Sequence, residues 1–285
     1  MKIDIKEYKL LCEKGSGNYN EDVVGICKKG AWVLDGATGL NNKNLISEES
    51  DAKWYVSWWN KYLSENLDEN KPLKEIVLNG LENIKREYLL KLNGLEIQEL
   101  DTPSASVVII KFHKSKLEYL LLGDCTLIFK DLNKDILAKD ERVCKFDDDI
   151  FKKMDNLNKI ENLTIDEKKK ILLPFIIENR LKKNSEEGYW ILEFNKEAVE
   201  KAVHGFINIE NEAKIIMSSD GFSCAWDRYN IFNKNEIIEI GQYKGIEYIK
   251  NETRKLEDKD KKGLIFPRFK KSDDSSCVYL HIIKR

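Results

Sequence analysis

The sequence predicts an α+β fold in which two packed, mainly antiparallel β-sheets are flanked by helices. Three observations lead there. Short runs rich in β-branched and aromatic residues fall into two clusters, at 23–34 with 104–129, and at 213–217 with 277–283. Within the first cluster, tight polar turns join consecutive runs, as antiparallel hairpins require. Two stretches of helical period stand side by side in the chain at 47–94, a pair able to cover one sheet face.

Taken in order, residues 23–27 and 31–34 are joined by Lys28-Lys29-Gly30, a hairpin that delivers Asp35 at its far end. The first helix is expected to open at Ser47, with Glu48 and Glu49 favoured by the helix dipole in its first turn. It sets Trp54, Tyr55, Trp58, Trp59 and Tyr62 on one side, an aromatic stripe read as core. The second begins near Pro72, carries Leu73, Ile76, Val77, Leu81, Ile84 and Tyr88, and stops at Asn93-Gly94. Strands are predicted over 104–112 and 117–129, with His113-Lys114-Ser115-Lys116 as the turn and Gly123-Asp124 interrupting the second. The stretch 131–187 is more polar, with an acidic run at Asp147-Asp148-Asp149 and a Lys-rich amphipathic segment over 164–183. It reads as an insertion in a single domain spanning 1–285. A helix over 196–204, an apolar strand over 213–217 and a last strand over 277–283 complete the chain.

The 285 residues, 42% of them hydrophobic, suffice for a sizeable core. Lys plus Arg (48) and Asp plus Glu (50) nearly cancel, so the net charge of −2 offers no footprint for nucleic acid or an anionic membrane. The six cysteines form no CxxC pair, which argues against a zinc knuckle or redox dithiol, and Cys224 reads as a buried thiol. The first residues lack the apolar core of a signal peptide, and no apolar run reaches membrane-spanning length, so a cytoplasmic monomer is expected. Of the three histidines, His113 and His204 read as surface or helix residues and His281 as part of the last strand. Lys182-Lys183 and Lys261-Lys262 read as solvated faces.

Function is carried by short acidic motifs, most of them ending apolar runs: Asn20-Glu21-Asp22, Asp35-Gly36-Ala37-Thr38-Gly39, Gly123-Asp124, Ser219-Asp220-Gly221 and Ser272-Asp273-Asp274-Ser275-Ser276. Carboxylates brought to one point form a cage for hard divalent cations, and oxygen donors suit Mg or Mn better than zinc. In an Asp-Gly step, aspartate supplies a ligand and glycine is expected to turn the backbone sharply so that its carbonyl can approach the ion. If the carboxylates converge, two ions sharing Asp35 can activate a water for in-line attack on phosphorus. No HExxH, GxSxG or GxxxxGK[ST] motif competes with this reading.

Read in order, Asn20-Glu21-Asp22, Trp32-Val33-Leu34-Asp35-Gly36, Ser104-Ala105-Ser106, Leu122-Gly123-Asp124, Ser218-Ser219-Asp220-Gly221-Phe222 and Asp273-Asp274-Ser275-Ser276 resemble the metal-dependent protein phosphatase family, protein phosphatase 2C. The resemblance spans residues 20–280 and looks like a divergent bacterial branch. It implies a four-layer α-β-β-α sandwich with two Mg or Mn ions at one end of the sheets. By motif position, Asp35 would bridge the ions, with the Gly36 carbonyl on one and Asp220 and Asp273 on the other. Glu21 and Asp22 would bind directly or through water, Asp22 and Asp35 would activate the attacking water, and Asp124 matches the place of a third, weaker ion. Phosphoserine or phosphothreonine in a protein is the implied substrate.

Several positions depart from the family pattern. An arginine that usually grips phosphate is Gly17 here, a histidine proposed as general acid is Ala37, and an acidic residue that often supports the third ion is Cys224, with Asp227 three residues on. A replacement clamp is expected from Arg268, Lys270 and Lys271, on the segment entering Asp273. Three readings follow: a phosphatase of phosphoserine and phosphothreonine in signalling proteins, a metal-dependent phosphatase of a small phosphorylated compound, and a pseudophosphatase that binds its partner without turnover.

Overall fold

The computed structural model describes residues 2–41, 43–160 and 163–285. Among them, ten strands form two five-stranded antiparallel sheets. The first holds β2 (Asp22–Cys27), β3 (Gly30–Ala37), β4 (Ser104–Phe112), β5 (Lys116–Leu122) and β8 (Val203–Asn208), in the order β2-β3-β4-β5-β8. The second holds β1 (Ile3–Glu13), β6 (Thr126–Lys130), β7 (Asp135–Lys139), β9 (Glu212–Ser218) and β10 (Ser275–Lys284), in the order β1-β10-β9-β6-β7.

The alternation of side chains along the central strands builds the layers. On β3 and β4, Trp32, Leu34, Val107 and Ile109 face outward against α1 (Asp51–Asn66) and α2 (Leu73–Leu92), meeting Tyr55, Trp59, Ile76 and Leu81. Their neighbours Ala31, Val33, Val108 and Ile110 face inward and meet Leu127, Ile215, Met217 and Leu280 of the second sheet. That sheet's outer face, with Ile128, Ile216 and Tyr279, is covered by α6 (Asp220–Asp227), α7 (Ile237–Tyr243) and α8 (Ile246–Lys259). The result is a four-layer α-β-β-α sandwich, and all nine residues of β4 are buried because both of its faces are covered.

Several elements differ from expectation. The first helix starts at Asp51, because Ser50 caps it by accepting from the Lys53 N–H while the Asp51 carboxylate draws the N–H groups of Leu45, Ile46 and Ser47 into a loop. The strand expected over 117–129 is two strands in different sheets, joined at Gly123, whose φ of +78° suits only glycine. The expected insertion contains β7, which pairs with β6; outside the sheets lie α3 (Glu141–Ile160) and α4 (Ile165–Arg180), with a small core of their own from Ile150, Met154 and Leu172. The helix expected over 196–204 is only α5 (Lys196–Glu200), and His204 sits on β8. Lys183 is buried and ion-paired with Glu193 at 2.5 Å. Strand β1 and helices α7 and α8 were not foreseen.

His113 and His204 share one partner, the buried carboxylate of Glu118 on β5, at 2.8 and 3.0 Å. Glu118 also accepts from the Leu73 N–H at the start of α2, where Pro72 provides no side-chain cap. Burial pushes the Glu118 carboxyl up, but the two imidazoles and the Leu73 N–H outweigh it and hold it below its ordinary value of 4.5. A depressed carboxylate stabilises above its unfolded value and loses that contribution as pH falls through the folded one. Glu118→Gln is expected to cost about 2 kcal/mol in urea unfolding at neutral pH, and the difference from wild type should shrink below pH 4.5.

Candidate metal centre

One end of the sandwich collects the acidic motifs because the strands that carry them end there. Asp22 opens β2 and pairs in register with Asp35 near the end of β3, which in turn pairs with Ser106 of β4. Asp124 lies on the link from β5 to β6, its N–H donating to Ser106 Oγ at 3.3 Å. In the second sheet, β9 ends at Ser218 and runs through Ser219 into α6, so Asp220 is that helix's first residue. Asp273 precedes β10, next to β9.

The two Asp-Gly steps do not turn the backbone as expected. Gly36 lies within β3 and Gly221 within α6, neither at positive φ. Close approach requires glycine there. A Cβ on Gly36 would lie 2.5 Å from the Glu21 carbonyl oxygen, and one on Gly221 1.9 Å from that of Asp274. These approaches tie each half of the site to its neighbour across the chain.

Glu21 and Asp274 hold the rim. One Glu21 carboxylate oxygen accepts from the Thr38 and Ser50 hydroxyls, the latter also capping α1. The Asp274 carboxylate accepts from the Gly15 N–H at 2.7 Å and the Glu21 N–H at 2.8 Å, pinning the β1–β2 connection against the start of β10.

Electrostatically the centre is overcharged. Burial, then repulsion from Asp22, Asp220, Asp124 and Asp273, pushes the Asp35 carboxyl well up. Burial and the charges of Asp274 and Asp273 do the same to Asp22. Burial raises Asp220 to about 6 against the pull of Arg228. Asp273 alone goes down: burial opposes it, but the Lys270 ammonium at 2.8 Å and the Asp274 N–H prevail. Among the described residues, Asp22 Oδ2 and Asp124 Oδ1 are buried without a hydrogen-bond partner. Among the described residues no three Asp, Glu, His or Cys side chains already close on one point as a cage. Crowded carboxylates with orphaned oxygens are nonetheless the donor set and charge excess that hard divalent cations satisfy. The residues therefore fit the expected ions.

The basic segment behaves differently from expectation. Arg268 is 4% exposed, and all five of its N–H groups are engaged: Nε with the Lys271 carbonyl, Nη1 with the Asp260 carboxylate and Phe266 carbonyl, Nη2 with the carbonyls of Glu257 and Asp260. It fastens the chain after α8 and has no donor left for phosphate. Lys271 is exposed and pairs with Asp258. Lys270 remains at the centre, on Asp273.

The sequence reading passed over Arg228 and Asp147. Arg228 comes eight residues after Asp220, so two helical turns return it to the same face, and its Nη2 meets Asp220 Oδ2 at 3.1 Å. That spacing was available in the sequence. Asp147 belongs to the acidic run on α3, and with Phe151 it lines a cavity of about 130 Å³ together with Asp124, Asp220, Arg228, Lys270 and Asp273. Burial and the charges of Asp124 and Asp220 raise the Asp147 carboxyl to about 7. Asp227 is paired with Lys139 at 3.2 Å and accepts from the Ser223 hydroxyl. Cys224 is a buried thiol, as expected.

No protein-family model and no curated protein matches the sequence. Solved structures do match. The catalytic domain of the serine/threonine protein phosphatase PstP, in complex with two manganese ions, is 13% identical with a TM-score of 0.55, the match covering 99% of each chain. PstP/Ppp of Mycobacterium tuberculosis is 14% identical at TM-score 0.57, also over 99% of each chain. The phosphatase Stp1 of Staphylococcus aureus is 12% identical at TM-score 0.53, over 96% of this chain and 94% of its own. At such identities the likeness establishes the fold, and the sandwich is that of these phosphatases.

Proposed function

We propose that the chain is a Mg- or Mn-dependent phosphatase that hydrolyses phosphoserine and phosphothreonine in proteins. The observation that carries this reading is the convergence of Asp22, Asp35, Asp220 and Asp273, from four separate segments, into a centre whose carboxylate charge Arg228 and Lys270 offset only in part and divalent cations would balance. The fold shared with the manganese-bound PstP domain over the full chain supports it.

Asp35, with the Gly36 carbonyl, Asp220 and Asp273, would hold two ions, with Glu21 and Asp22 completing their surroundings and Asp124 serving a weaker third. When bound, the ions supply Lewis-acid activation of a water and neutralise charge on the phosphoryl oxygens. The chain itself fixes where this happens. The β2–β3 register sets Asp22 beside Asp35. Thr38 and Ser50 orient Glu21, and Asp274 locks the loop from which Glu21 projects. Ala37 carries no side-chain proton to donate, so the leaving alkoxide would take its proton from water or from another residue. A cytoplasmic, monomeric protein of bacterial signalling belongs to the same proposal. Among the described residues no helix is long and apolar enough to cross a membrane.

The test is hydrolysis of p-nitrophenyl phosphate and of a phosphothreonine peptide in MnCl2 and in EDTA. Hydrolysis of both in manganese, lost on chelation and with the higher kcat/KM on the peptide, is the expected result. Turnover of the small ester alone would move the function to a small phosphorylated compound. Manganese binding by calorimetry with no turnover of either would make the chain a binding module.

A further inference from the structure

Three cationic side chains line the cavity beside Asp220 and Asp273: Arg228, Arg268 and Lys270. Arg268 is fully committed to the chain's own carbonyls and Asp260. Arg228 is not. Its Nη2 contacts Asp220, at 3.1 Å to the carboxylate and 3.4 Å to the carbonyl, and its Nε and Nη1 make no hydrogen bond among the described residues. What holds the guanidinium in place is aromatic: its Cζ lies 5.4 Å from the Phe151 ring centroid on α3 and 6.0 Å from that of Tyr229. Packing on ring faces fixes the plane of a guanidinium while leaving its N–H edge available, the arrangement a bidentate oxyanion needs. Phe151 is itself braced by Phe269 at 5.4 Å. Lys270 is the second cation, its Nζ 2.8 Å from Asp273 Oδ1. It also lines the neighbouring cavity of about 270 Å³ that holds Gly17, Glu21 and Thr38.

Resting on the phosphatase reading, we infer that Arg228, set by Phe151 of the inserted helix pair, is the phosphoryl-binding cation of this chain, with Lys270 as its companion. The position at Gly17 has no side chain to offer, and the two cations proposed here come instead from the end of α6 and from the segment entering β10. The insertion thereby gains a role: α3 orients the group that grips the substrate's phosphate. Phe151 is a positioning residue in this scheme, since it acts through Arg228. Both cations now rest on the carboxylates assigned to the ions, so divalent ions compete with them for the same oxygens. Metal binding would therefore free the N–H groups for phosphate, and phosphate should bind the manganese-loaded chain but not the chelated one.

The experiment is calorimetric titration of inorganic phosphate into the full chain, in MnCl2 and in EDTA, alongside titration of Mn2+ alone. Arg228→Gln is expected to weaken phosphate binding at least about tenfold, the loss of a charge-assisted bidentate contact. Lys270→Gln should weaken it severalfold, and Arg228→Lys should recover part of the loss. Manganese affinity should stay the same or rise in Arg228→Gln, because Asp220 loses a competing cation; a merely structural arginine would lower manganese affinity and thermal stability together. Phe151→Leu should weaken phosphate binding with manganese affinity unchanged, and it carries the decision if Arg228→Gln does not fold. Phosphate affinity within twofold of wild type in these variants, or no phosphate binding by wild type in MnCl2, overturns the inference. Loss of phosphate binding in Arg228→Gln, in a protein that hydrolyses no ester, would leave the subsite standing and remove only the phosphatase reading.

Discussion

Replacing Asp35 by asparagine is expected to abolish manganese-dependent hydrolysis of p-nitrophenyl phosphate, lowering kcat by at least about a thousandfold, while making the metal-free protein more stable. The two effects have one cause. Asp35 sits among Asp22, Asp124, Asp220 and Asp273, and after burial their repulsion is what raises its carboxyl. An amide of the same shape removes a charge from that cluster, so metal-free Asp35→Asn should melt above metal-free wild type. A neutral amide is a poorer donor for the hard cations that Asp35 is proposed to hold, so the activation they would supply to water should be lost. Manganese should stabilise wild type by about 2.7 kcal/mol at one hundred times Kd, and this gain should largely vanish in the variant. Thermal melts of both proteins in MnCl2 and EDTA check the prediction. A variant that melts lower without metal, or that keeps its manganese-induced stabilisation, would remove Asp35 from the centre.

The adjacent acids at 273 and 274 are expected to behave in opposite ways. Asp274→Ala should cost about 3 kcal/mol, because it strands two backbone donors that a charged acceptor now satisfies. Those donors are the N–H groups of Gly15 and Glu21, at 2.7 and 2.8 Å, and Asp274 is only 7% exposed. The loop bearing Glu21 should loosen with it, so manganese affinity falls as a consequence. Asp273→Asn leaves that clamp intact and should keep the fold while losing metal. Urea unfolding in EDTA separates the two, since only Asp274→Ala should shift the midpoint substantially in the absence of metal. Equal midpoints for the two variants would show that Asp274 is no clamp.

Much of this could be read from local pattern. The end of α2 was legible because Asn93 and Gly94 take left-handed backbone, at φ of 48° and 84°, and few other residues do so readily. The hairpin into Asp35 was legible because two short β-rich runs flank the Lys28-Lys29-Gly30 turn, and a strand covered on both faces reads as a continuous apolar run. Strand β1 was not: its burial pattern is mostly exposed or intermediate, since it lies at a sheet edge, and its alternation is correspondingly weak. The division of 117–129 between two sheets also escaped, because an apolar run looks the same whether its halves continue one strand or cross to another layer. At the site, the aspartates proposed to hold the ions announced themselves as short motifs at strand ends. Arg268 misled because sequence distance to Asp273 says nothing about where a guanidinium's five donors go.

The sequence by itself determined the two-sheet sandwich, the helix pair over its first sheet and the aspartates proposed to hold ions, because each is written in a local period or a short motif that a strand end exposes. Only the tertiary structure decided which side chains meet across those ends. The approach of Arg228 to Asp220 along α6 is a local spacing, but the aromatic ring that holds Arg228 comes from Phe151, in an insertion 77 residues earlier in the chain. Such a juxtaposition depends on packing between elements distant in sequence, and no local pattern encodes it.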